Sequence, residues 1–505
     1  MDELVAARAE LVRLEENERN LVKQLSDVRT AAAKQRKRIE ELIRTRPPPI
    51  QCLPVELLSS ILLLALRGTN PSQKEILARV SRHWRDVILD HPNFWSAIEI
   101  VSSRKLSPAV RLHLKKSREA PLDITIRVES SKHHSSLREG LDLLIPCADR
   151  WHTLYIYSWS SASFPQFILG RIGAVKFPSL KRIEFDWSVD TFPTFLSATN
   201  VPVLEHLDLG YLMVDDRDGR SWHRSMPGMS FSTHIPVLTL VTLTLSGHTP
   251  PWLLQPNSVH FPVLETLKIS LTSTSEFFKA IVTPKLISLD YAVSLEDIIS
   301  SLFSSLEGKF SSVKQVSFTM ESSSLDTSGA LALCRVFPNV CHAEFYSESL
   351  PHAFFDPCEG IYSLRSPVDH WKSLESVAFR DMDPSLWLEP PIRENNAFVR
   401  WLVERQHQQP LRVRIEGAYA EEEDVPSFCM LYEILREYCV VELEDVVLCH
   451  ESELSKSAGS RLQLVGGSPS SIVHFLTSVM QCVPMFTSGL VDDMGAVVGE
   501  QSSHE

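Results

Sequence analysis

The stretch that decides the fold reads Phe261-Pro262-Val263-Leu264-Glu265-Thr266-Leu267-Lys268-Ile269. An apolar residue precedes a proline, and a leucine two residues after the proline is followed by apolar residues at its third and fifth following positions. Because side chains alternate along a strand, Leu267 and Ile269 would share one face. Proline suits the start of a strand, where no ladder donor is needed. The same pattern recurs along the chain, so a repeated strand unit is predicted.

Nine copies of the unit are recognisable, each with a first leucine or valine that we call the anchor. The predicted anchors are Leu154, Leu180, Leu204, Leu238, Leu264, Leu286, Val313, Val340 and Leu374. Successive anchors lie 22 to 34 residues apart, mostly within the range of leucine-rich repeats. One unit cannot bury its apolar face alone, so the copies are expected to stack. The predicted class is α/β, with an irregular leucine-rich-repeat solenoid over residues 120–450; the alternative is an ordinary α/β domain with several apolar strands.

Three more strands are predicted outside the nine copies. Residues 122–128 alternate apolar and polar side chains, as a half-buried strand does. Residues 411–415 and 440–443 have a similar composition. The residues beyond them, 451–505, begin with a Ser- and Gly-rich segment and are expected to be mostly disordered.

Residues 1–46 are predicted to form a coiled-coil helix. With Leu4 at heptad position a, ten of the twelve a and d positions are apolar, and no Gly or Pro interrupts the stretch. This pattern fits a homodimer, or a single helix that is solvated or packed back on the body. Glu10 and Glu15, at successive g and e positions, would repel each other across a parallel dimer.

Residues 50–98 carry the pattern of a small helical hairpin. Pro54 suits the first turn of a helix and Glu56 the positive end of its dipole. A first apolar stripe comprises Leu57, Leu58, Ile61, Leu62 and Ala65, and a second comprises Ile76, Leu77, Val80, Trp84, Val87 and Ile88. So short a segment buries little surface by itself, so part of it should be an interface. The alternative is a helical cap on the solenoid.

Two runs in this segment resemble the F-box family. They read Ile50-Gln51-Cys52-Leu53-Pro54-Val55-Glu56-Leu57-Leu58-Ser59-Ser60-Ile61-Leu62 and Val80-Ser81-Arg82-His83-Trp84-Arg85-Asp86-Val87-Ile88, with Pro92-Asn93-Phe94-Trp95 after them. Two features depart from the family pattern: Ser81 stands where a cysteine is usual, and the loop 68–73 is longer. The resemblance implies that the module docks a Skp-family adaptor. By position, the adaptor-binding residues would be Leu53, Pro54, Glu56, Leu57 and Ile61, and the F-box core would include Val80, Trp84 and Trp95.

The order of modules also resembles known substrate receptors, in particular the large fungal F-box family. The implied function is the substrate-recognition subunit of an SCF-type cullin-RING ubiquitin ligase, with the solenoid binding a protein target. Such a receptor does no bond chemistry, and no catalytic residues are predicted. One alternative is a protein-interaction scaffold without ubiquitin transfer. Another is an enzyme with a site on the solenoid that no motif reveals.

Composition and charge further restrict the classes of partner and cofactor that are expected. The net charge of −13 gives no overall electrostatic attraction to nucleic acid or to an anionic membrane. The nine cysteines are scattered without metal-ligand spacing, so neither a metal nor a cofactor is predicted. The first residues lack the apolar run of a secretory signal, and no apolar run is long enough to span a bilayer. A cytoplasmic or nuclear protein is expected.

Overall fold

The computed structural model describes residues 2–45, 50, 53–66, 73–101, 107–128, 134–158, 163–186, 188–189, 193–212, 235–249, 254–293, 299–320, 325–346, 352–358, 365–381, 396–405, 410–417, 419–420, 425–444 and 447–448. The chain divides into two compact units, residues 1–94 and 95–505. The predicted disordered segment, residues 451–505, lies outside the described residues.

The first unit is helical. Its helices are α1 (Asp2–Thr45), α2 (Val55–Leu66), α3 (Gln73–Val80) and α4 (Arg82–Asp90), and a 3₁₀ turn, Pro92–Trp95, follows at the boundary with the second unit. The long N-terminal helix predicted from the heptads is confirmed as one uninterrupted element. Its side chains are exposed from residue 3 to residue 42.

One helix predicted in this unit is in fact two. The stripe from Ile76 to Ile88 indicated a single helix, but Ser81 adopts an extended backbone between α3 and α4. Its Oγ accepts a hydrogen bond from the Trp84 amide at 3.1 Å, which caps α4. Ile76 and Val80 of α3 are exposed, and none of the α3 residues is buried.

The core of the first unit comes from one face each of α2 and α4. Leu58 and Leu62 of α2 are buried, as are Trp84, Val87 and Ile88 of α4. α2 packs against both α3 and α4. The Arg85 side chain joins α4 back to α3 by donating to the Ala78 carbonyl at 3.3 Å. A three-helix module therefore replaces the predicted hairpin.

The second unit is built on a large parallel sheet. Its strands are β1 (Ala97–Val101), β2 (Leu122–Val128), β3 (Trp151–Ser158), β4 (Arg182–Asp186), β5 (Ser188–Val189), β6 (His206–Leu212), β7 (Thr242–Gly247), β8 (Val259–His260), β9 (Thr266–Leu271), β10 (Ile281–Val282), β11 (Ser288–Val293), β12 (Gln315–Met320), β13 (His342–Tyr346), β14 (Ser376–Arg380), β15 (Leu411–Glu416), β16 (Tyr419–Ala420), β17 (Cys439–Glu444) and β18 (Val447–Leu448). The three extra strands predicted at 122–128, 411–415 and 440–443 correspond to β2, β15 and β17.

The strands pair in chain order. The main sheet has 14 strands and runs β1-β2-β3-β4-β6-β7-β9-β11-β12-β13-β14-β15-β17, with β5 beside β6. Two short parallel pairs, β8 with β10 and β16 with β18, lie outside it. Every pairing in the described residues is parallel, and the sheet is not closed. Parallel neighbours need a crossover between them, and the intervening segments supply it.

Helices occupy many of these crossovers. They are α5 (Ser107–Ser117), α6 (His134–Leu144), α7 (Ser163–Ile172), α8 (Ser275–Ala280), α9 (Ile299–Ser304), α10 (Thr327–Val336), α11 (His352–Phe355), α12 (Ala397–Arg405) and α13 (Val425–Tyr438). Short 3₁₀ helices span Ile145–Arg150, Thr194–Leu196 and Pro367–His370. Together with the sheet they make a mixed α/β unit, so the predicted class is confirmed at that level.

Seven of the nine predicted anchors are confirmed. Each of the seven is buried, and the residue three positions after it is a buried residue of a strand. The prediction is wrong for Leu238, which is 65% exposed; Leu240 is buried instead. Leu243 pairs with Leu207, the residue three after the anchor Leu204, so Leu240 holds the anchor position. The anchor is displaced because the turn between Pro236 and the anchor is two residues longer than in the other proline-containing copies. In this turn Thr239 Oγ1 donates to the Leu204 carbonyl at 2.7 Å.

The first copy is also shifted. Leu154 pairs with Ile183, which is the residue three after the anchor Leu180. The anchor of this copy is therefore Trp151, a fully buried side chain whose ring centroid lies 5.1 Å from that of Phe177. An aromatic ring was not recognised as an anchor because the pattern was read from leucines.

Candidate functional site

Helix α2 is apolar on two faces, and only one of them is covered. Leu58 and Leu62 are buried, whereas Leu57, Ile61 and Leu64 are 55%, 43% and 56% exposed. Residues at i, i+4 and i+7 of a helix lie on one narrow stripe. We call these three residues the α2 stripe. A stripe of three large apolar side chains left in water on so small a unit is typical of a docking site.

The two serine hydroxyls of α2 are hydrogen-bonded within the helix. The buried Ser59 hydroxyl donates to the Val55 carbonyl, and the exposed Ser60 Oγ donates to the Glu56 carbonyl at 2.8 Å. Serine can bond backwards in this way at modest cost to the helix. Both serine hydroxyls of α2 are therefore satisfied. The exposed feature of α2 that a partner would cover is the apolar stripe.

All five predicted adaptor-binding residues lie at the start of α2 or on its exposed side. Leu53 is half-buried just before the helix, and Pro54 accepts the first helical hydrogen bond from the Leu58 amide at 3.0 Å. Glu56, Leu57 and Ile61 are exposed. Sequence reasoning missed Leu64, which the spacing of seven from Leu57 could have indicated.

The three predicted F-box core residues fall in different places. Trp84 is buried in the first unit. Trp95 is buried in the second unit, where its ring meets His113 edge-on at 5.2 Å and Lys116 Nζ lies 5.9 Å from its centroid. Val80 is 47% exposed at the end of α3, so it is a surface residue of the first unit.

The sheet presents a second surface, on the face opposite the anchors. Strand register aligns one residue from each strand of the main path into a row across this face. We call it the central row: Glu99, Thr125, Tyr155, Glu184, Asp208, Thr244, Lys268, Asp290, Ser317, Glu344, Ala378, Arg414 and Glu442. All but Ala378 are half-buried or exposed, so this face is polar and reachable from solvent.

Ion pairs organise the C-terminal end of this face. Glu344 Oε1 lies 2.9 Å from Arg414 Nη2 and 3.4 Å from Arg380 Nη2. Arg380 Nη1 also donates to the Tyr346 hydroxyl at 2.7 Å, with its guanidinium 5.2 Å from the Tyr346 ring. Desolvation, above all, raises the pKa of Tyr346. Arg380 Nε also lies 2.9 Å from Glu416 Oε2, so two cations, two carboxylates and a phenol are held in one arrangement that a polar partner could contact.

Burial also raises the pKa of two central-row carboxyls. For Asp290 the desolvation outweighs the opposing effect of Lys268, whose Nζ lies 4.0 Å from a carboxylate oxygen. For Asp208 it outweighs the hydrogen bond that the carboxylate accepts from the Gly210 amide at 2.9 Å. Both groups are partly desolvated acids, which favour a cationic partner at this face.

A pocket of about 270 Å³ opens beside the ion pairs. Its wall includes His342, Glu344, Ser376, Arg412 and Arg414. His342 Nδ1 and Ser376 Oγ lie 2.7 Å apart. A nucleophilic serine also needs a third group to orient its base, and the described residues place no carboxylate in hydrogen-bond contact with the other ring nitrogen of His342.

The described residues hold no group of His, Cys, Asp or Glu side chains that could bind a metal ion. Among the described helices, none combines the length with the apolar content that a membrane-spanning segment requires. Five cysteines whose side chains the structure describes are free thiols: Cys147, the fully buried Cys334, Cys341, Cys358 and Cys439. Burial raises the pKa of the Cys334 thiol well above its usual value, which makes it unreactive.

The two candidate surfaces are therefore the α2 stripe and the polar face of the sheet. A scan against protein-family models and a search of the curated proteins each returned no significant match to this chain.

Proposed function

We propose that this chain is the substrate-recognition subunit of an SCF-type cullin-RING ubiquitin ligase. The observation that carries the proposal is the α2 stripe, on a helix that follows the Leu53-Pro54 pair of the F-box pattern. Leu57 and Ile61, two of the residues that the resemblance assigns to the adaptor contact, are apolar side chains exposed on that stripe.

The chemistry of the stripe supports a helical partner. Anchors at i, i+4 and i+7 are those with which an amphipathic helix enters an apolar groove. Glu56 and Ser60 border the stripe and would form its polar rim. The partner of the proposal is the Skp-family adaptor, which connects F-box modules to the cullin scaffold.

The sheet unit is proposed to bind the target. Strands that pair in chain order along an open sheet support a leucine-rich-repeat-like solenoid. In such an arrangement each unit adds one residue to the central row, so the row forms one extended contact surface. The desolvated Asp208 and Asp290 favour a target segment that carries basic side chains.

Function then follows from proximity. A receptor that holds its target beside the charged ubiquitin carrier raises the effective concentration of the acceptor lysine. No side chain of the receptor needs to enter the reaction. The adaptor contact must be stable, whereas the target contact must form and release in each cycle.

A matched pair of variants tests the adaptor contact. The full chain, Leu57→Ala/Ile61→Ala and the control Leu238→Ala/Ile287→Ala are each captured with a Skp-family adaptor. The control removes one leucine and one isoleucine of similar exposure from the second unit. We expect the wild type and the control to bind stoichiometrically, and the stripe variant to lose binding at least about tenfold while keeping its circular dichroism spectrum. Equal binding of all three would refute the proposal.

A second experiment separates the receptor from a scaffold that binds the adaptor without ubiquitin transfer. Proteins bound to the wild-type chain in cells are compared with those bound to the stripe variant, which keeps the sheet intact. A receptor predicts a protein that binds both chains and is ubiquitinated only with the wild type. Bound proteins whose ubiquitination is the same with both chains would support the scaffold.

A further inference from the structure

We propose that α1 pairs with α1 of a second copy of this chain in antiparallel orientation. The apolar a and d residues are in water along the whole helix: even the best covered of its large members, Leu25, is 51% exposed. A helix of 44 residues extends about 66 Å, and an apolar stripe exposed along that length marks an interaction surface. Its occupant can be identified from the pattern of sizes and charges along the seam.

Sizes match when the helices run in opposite directions. In an antiparallel pair each a residue meets a d residue, and Leu4 opposite Leu42 places every residue n opposite residue 46 − n of the second copy. Small side chains then meet large ones, and the central layer is leucine on leucine: Ala7 with Ile39, Ala32 with Leu14, and Leu21 with Leu25. A parallel pair would set Ala7 on Ala7 and Ala32 on Ala32, leaving two thin layers.

The polar a residue also prefers the antiparallel pair. Glu18 occupies an a position, so a parallel pair would place two Glu18 carboxylates in the same layer. Two like charges in one layer of a seam are strongly unfavourable. In the antiparallel pair Glu18 lies opposite Val28 of the second copy, beside Arg29, and the two Glu18 residues are separated.

Net charge along the helix is complementary in the same register. Residues 10–18 carry four glutamates and one arginine, a net charge of −3. The residues opposite them are 28–36, with two arginines and one lysine, a net charge of +3. The repulsion between Glu10 and Glu15 of a parallel pair is replaced by attraction. Complementarity of α1 to itself therefore identifies the partner as a second copy.

The first test is the mass of the full chain in solution, measured by light scattering after gel filtration. We expect a dimer for the wild type and a monomer for Leu21→Lys/Leu25→Lys, which breaks the central layer. The control is Val5→Lys/Val12→Lys, which changes two equally exposed residues at heptad position b and should remain dimeric. A monomeric wild type, or a dimeric seam variant, would overturn the proposal.

Orientation is tested by cross-linking. Leu14→Cys and Ala32→Cys chains are oxidised alone and as a mixture, and the linked peptides are identified by mass spectrometry, which separates them from native cysteines. Antiparallel pairing predicts a 14–32 link in the mixture only, because two residues 14 lie 18 positions apart, about 27 Å. Links 14–14 or 32–32 in the separate samples would show a parallel pair and refute the proposed orientation.

Charge reversal gives an independent readout. Glu10→Lys/Glu15→Lys should weaken dimerisation roughly tenfold at low salt, because lysines then face a basic segment. Adding Arg29→Glu/Arg38→Glu should restore it. A parallel pair predicts neither result, since the two introduced lysines would repel each other as the glutamates did, and residues 29 and 38 face uncharged partners. Failure of the rescue would contradict the antiparallel register.

Discussion

The α2 stripe and the central row are both exposed, yet they are opposite in chemistry. The stripe is three large apolar side chains on a small helical unit, whereas the row is mostly charged or hydroxyl-bearing and contains internal ion pairs. An apolar stripe is favourable only when covered, so it suits a partner that stays bound. A polar row that is already paired is stable in water and suits a partner that leaves. Under the proposed function, the permanent contact would belong to the helices and the exchanging one to the sheet.

The largest expected effect concerns the buried face of the sheet, on which the stability of the unit that carries the polar face depends. Phe345 is buried, with its ring 6.1 Å from Phe318 and 5.8 Å from Phe379. Phe345→Ala should lower the free energy of unfolding of the sheet unit by about 3–5 kcal/mol, because it leaves a cavity in an aromatic stack. Chemical denaturation followed by circular dichroism measures it. Thr319→Ala, an exposed open-face change on neighbouring β12, should fall within about 0.5 kcal/mol.

The next prediction compares the two faces of α2. Leu62→Ala should lower the free energy of unfolding of the helical unit by about 2–5 kcal/mol, because the side chain is buried. Leu64→Ala, two residues along but on the stripe, should change it by less than about 0.5 kcal/mol and instead weaken adaptor binding. Thermal unfolding and the adaptor capture assay are run on both variants. Equal destabilisation by the two changes would mean that the stripe is not an open surface.

Backbone geometry in the sheet unit gives a smaller effect. Gly247 ends β7 with φ +99°, and an added Cβ would stand 2.6 Å from the Leu212 amide nitrogen. Gly247→Ala should therefore cost more than about 1 kcal/mol of stability. Gly170→Ala is the control: this helical glycine has open space around its Cβ position, and the change should stabilise by about 0.5–1 kcal/mol. A neutral Gly247→Ala in thermal unfolding would contradict the close approach of β6 and β7.

Loss of the α4 cap should lower the stability of the helical unit and leave that of the sheet unit unchanged. Ser81→Ala removes the hydrogen bond to the Trp84 amide and should cost about 1 kcal/mol of stability. Ser81→Asp keeps an acceptor at the cap and should retain most of the stability. Urea unfolding of the two variants measures the difference. Equal loss of stability in the Ser81→Ala and Ser81→Asp variants would mean that the side-chain cap of Ser81 does not stabilise the start of α4.

The smallest effect concerns charge in the central row. Burial raises the pKa of Asp290 above its usual value, so the ionised form costs stability at neutral pH. That cost decreases as the pH falls through the raised folded pKa, and it is gone below the ordinary value of 3.8, where both states are protonated. Asp290→Asn should therefore raise Tm slightly at pH 7, and the difference should vanish near pH 3. A difference that stays constant across this range would contradict burial as the cause.

The sequence predicted the positions of the strands more accurately than it predicted which of their neighbouring side chains are buried. The spacing of leucines predicted seven anchors correctly, and the heptads predicted α1 as one helix. It failed at Leu238 because Leu240 fits the same pattern, and only strand pairing separates the two. It failed at Trp151 because a ring replaced the leucine.

The candidate site shows the same limit. Periodicity placed Leu57, Leu58, Ile61 and Leu62 on one stripe, and only the family resemblance assigned Leu57 and Ile61 alone to the adaptor contact. Packing against α3 and α4 divides them into a covered pair and an exposed pair. Trp95, which the F-box pattern groups with Trp84, packs on His113 of the second unit.

By itself, the sequence determined the period of each element: a heptad helix, a short apolar helix after Pro54, and a strand unit repeated along the chain. Tertiary structure alone decided the phase, namely which of two neighbouring leucines points inward, where Ser81 breaks a helix, and which side chains form the central row. The reason is physical. Periodicity is a local property of covalent geometry and side-chain type, whereas phase is set by burial against neighbouring elements that are distant in the chain.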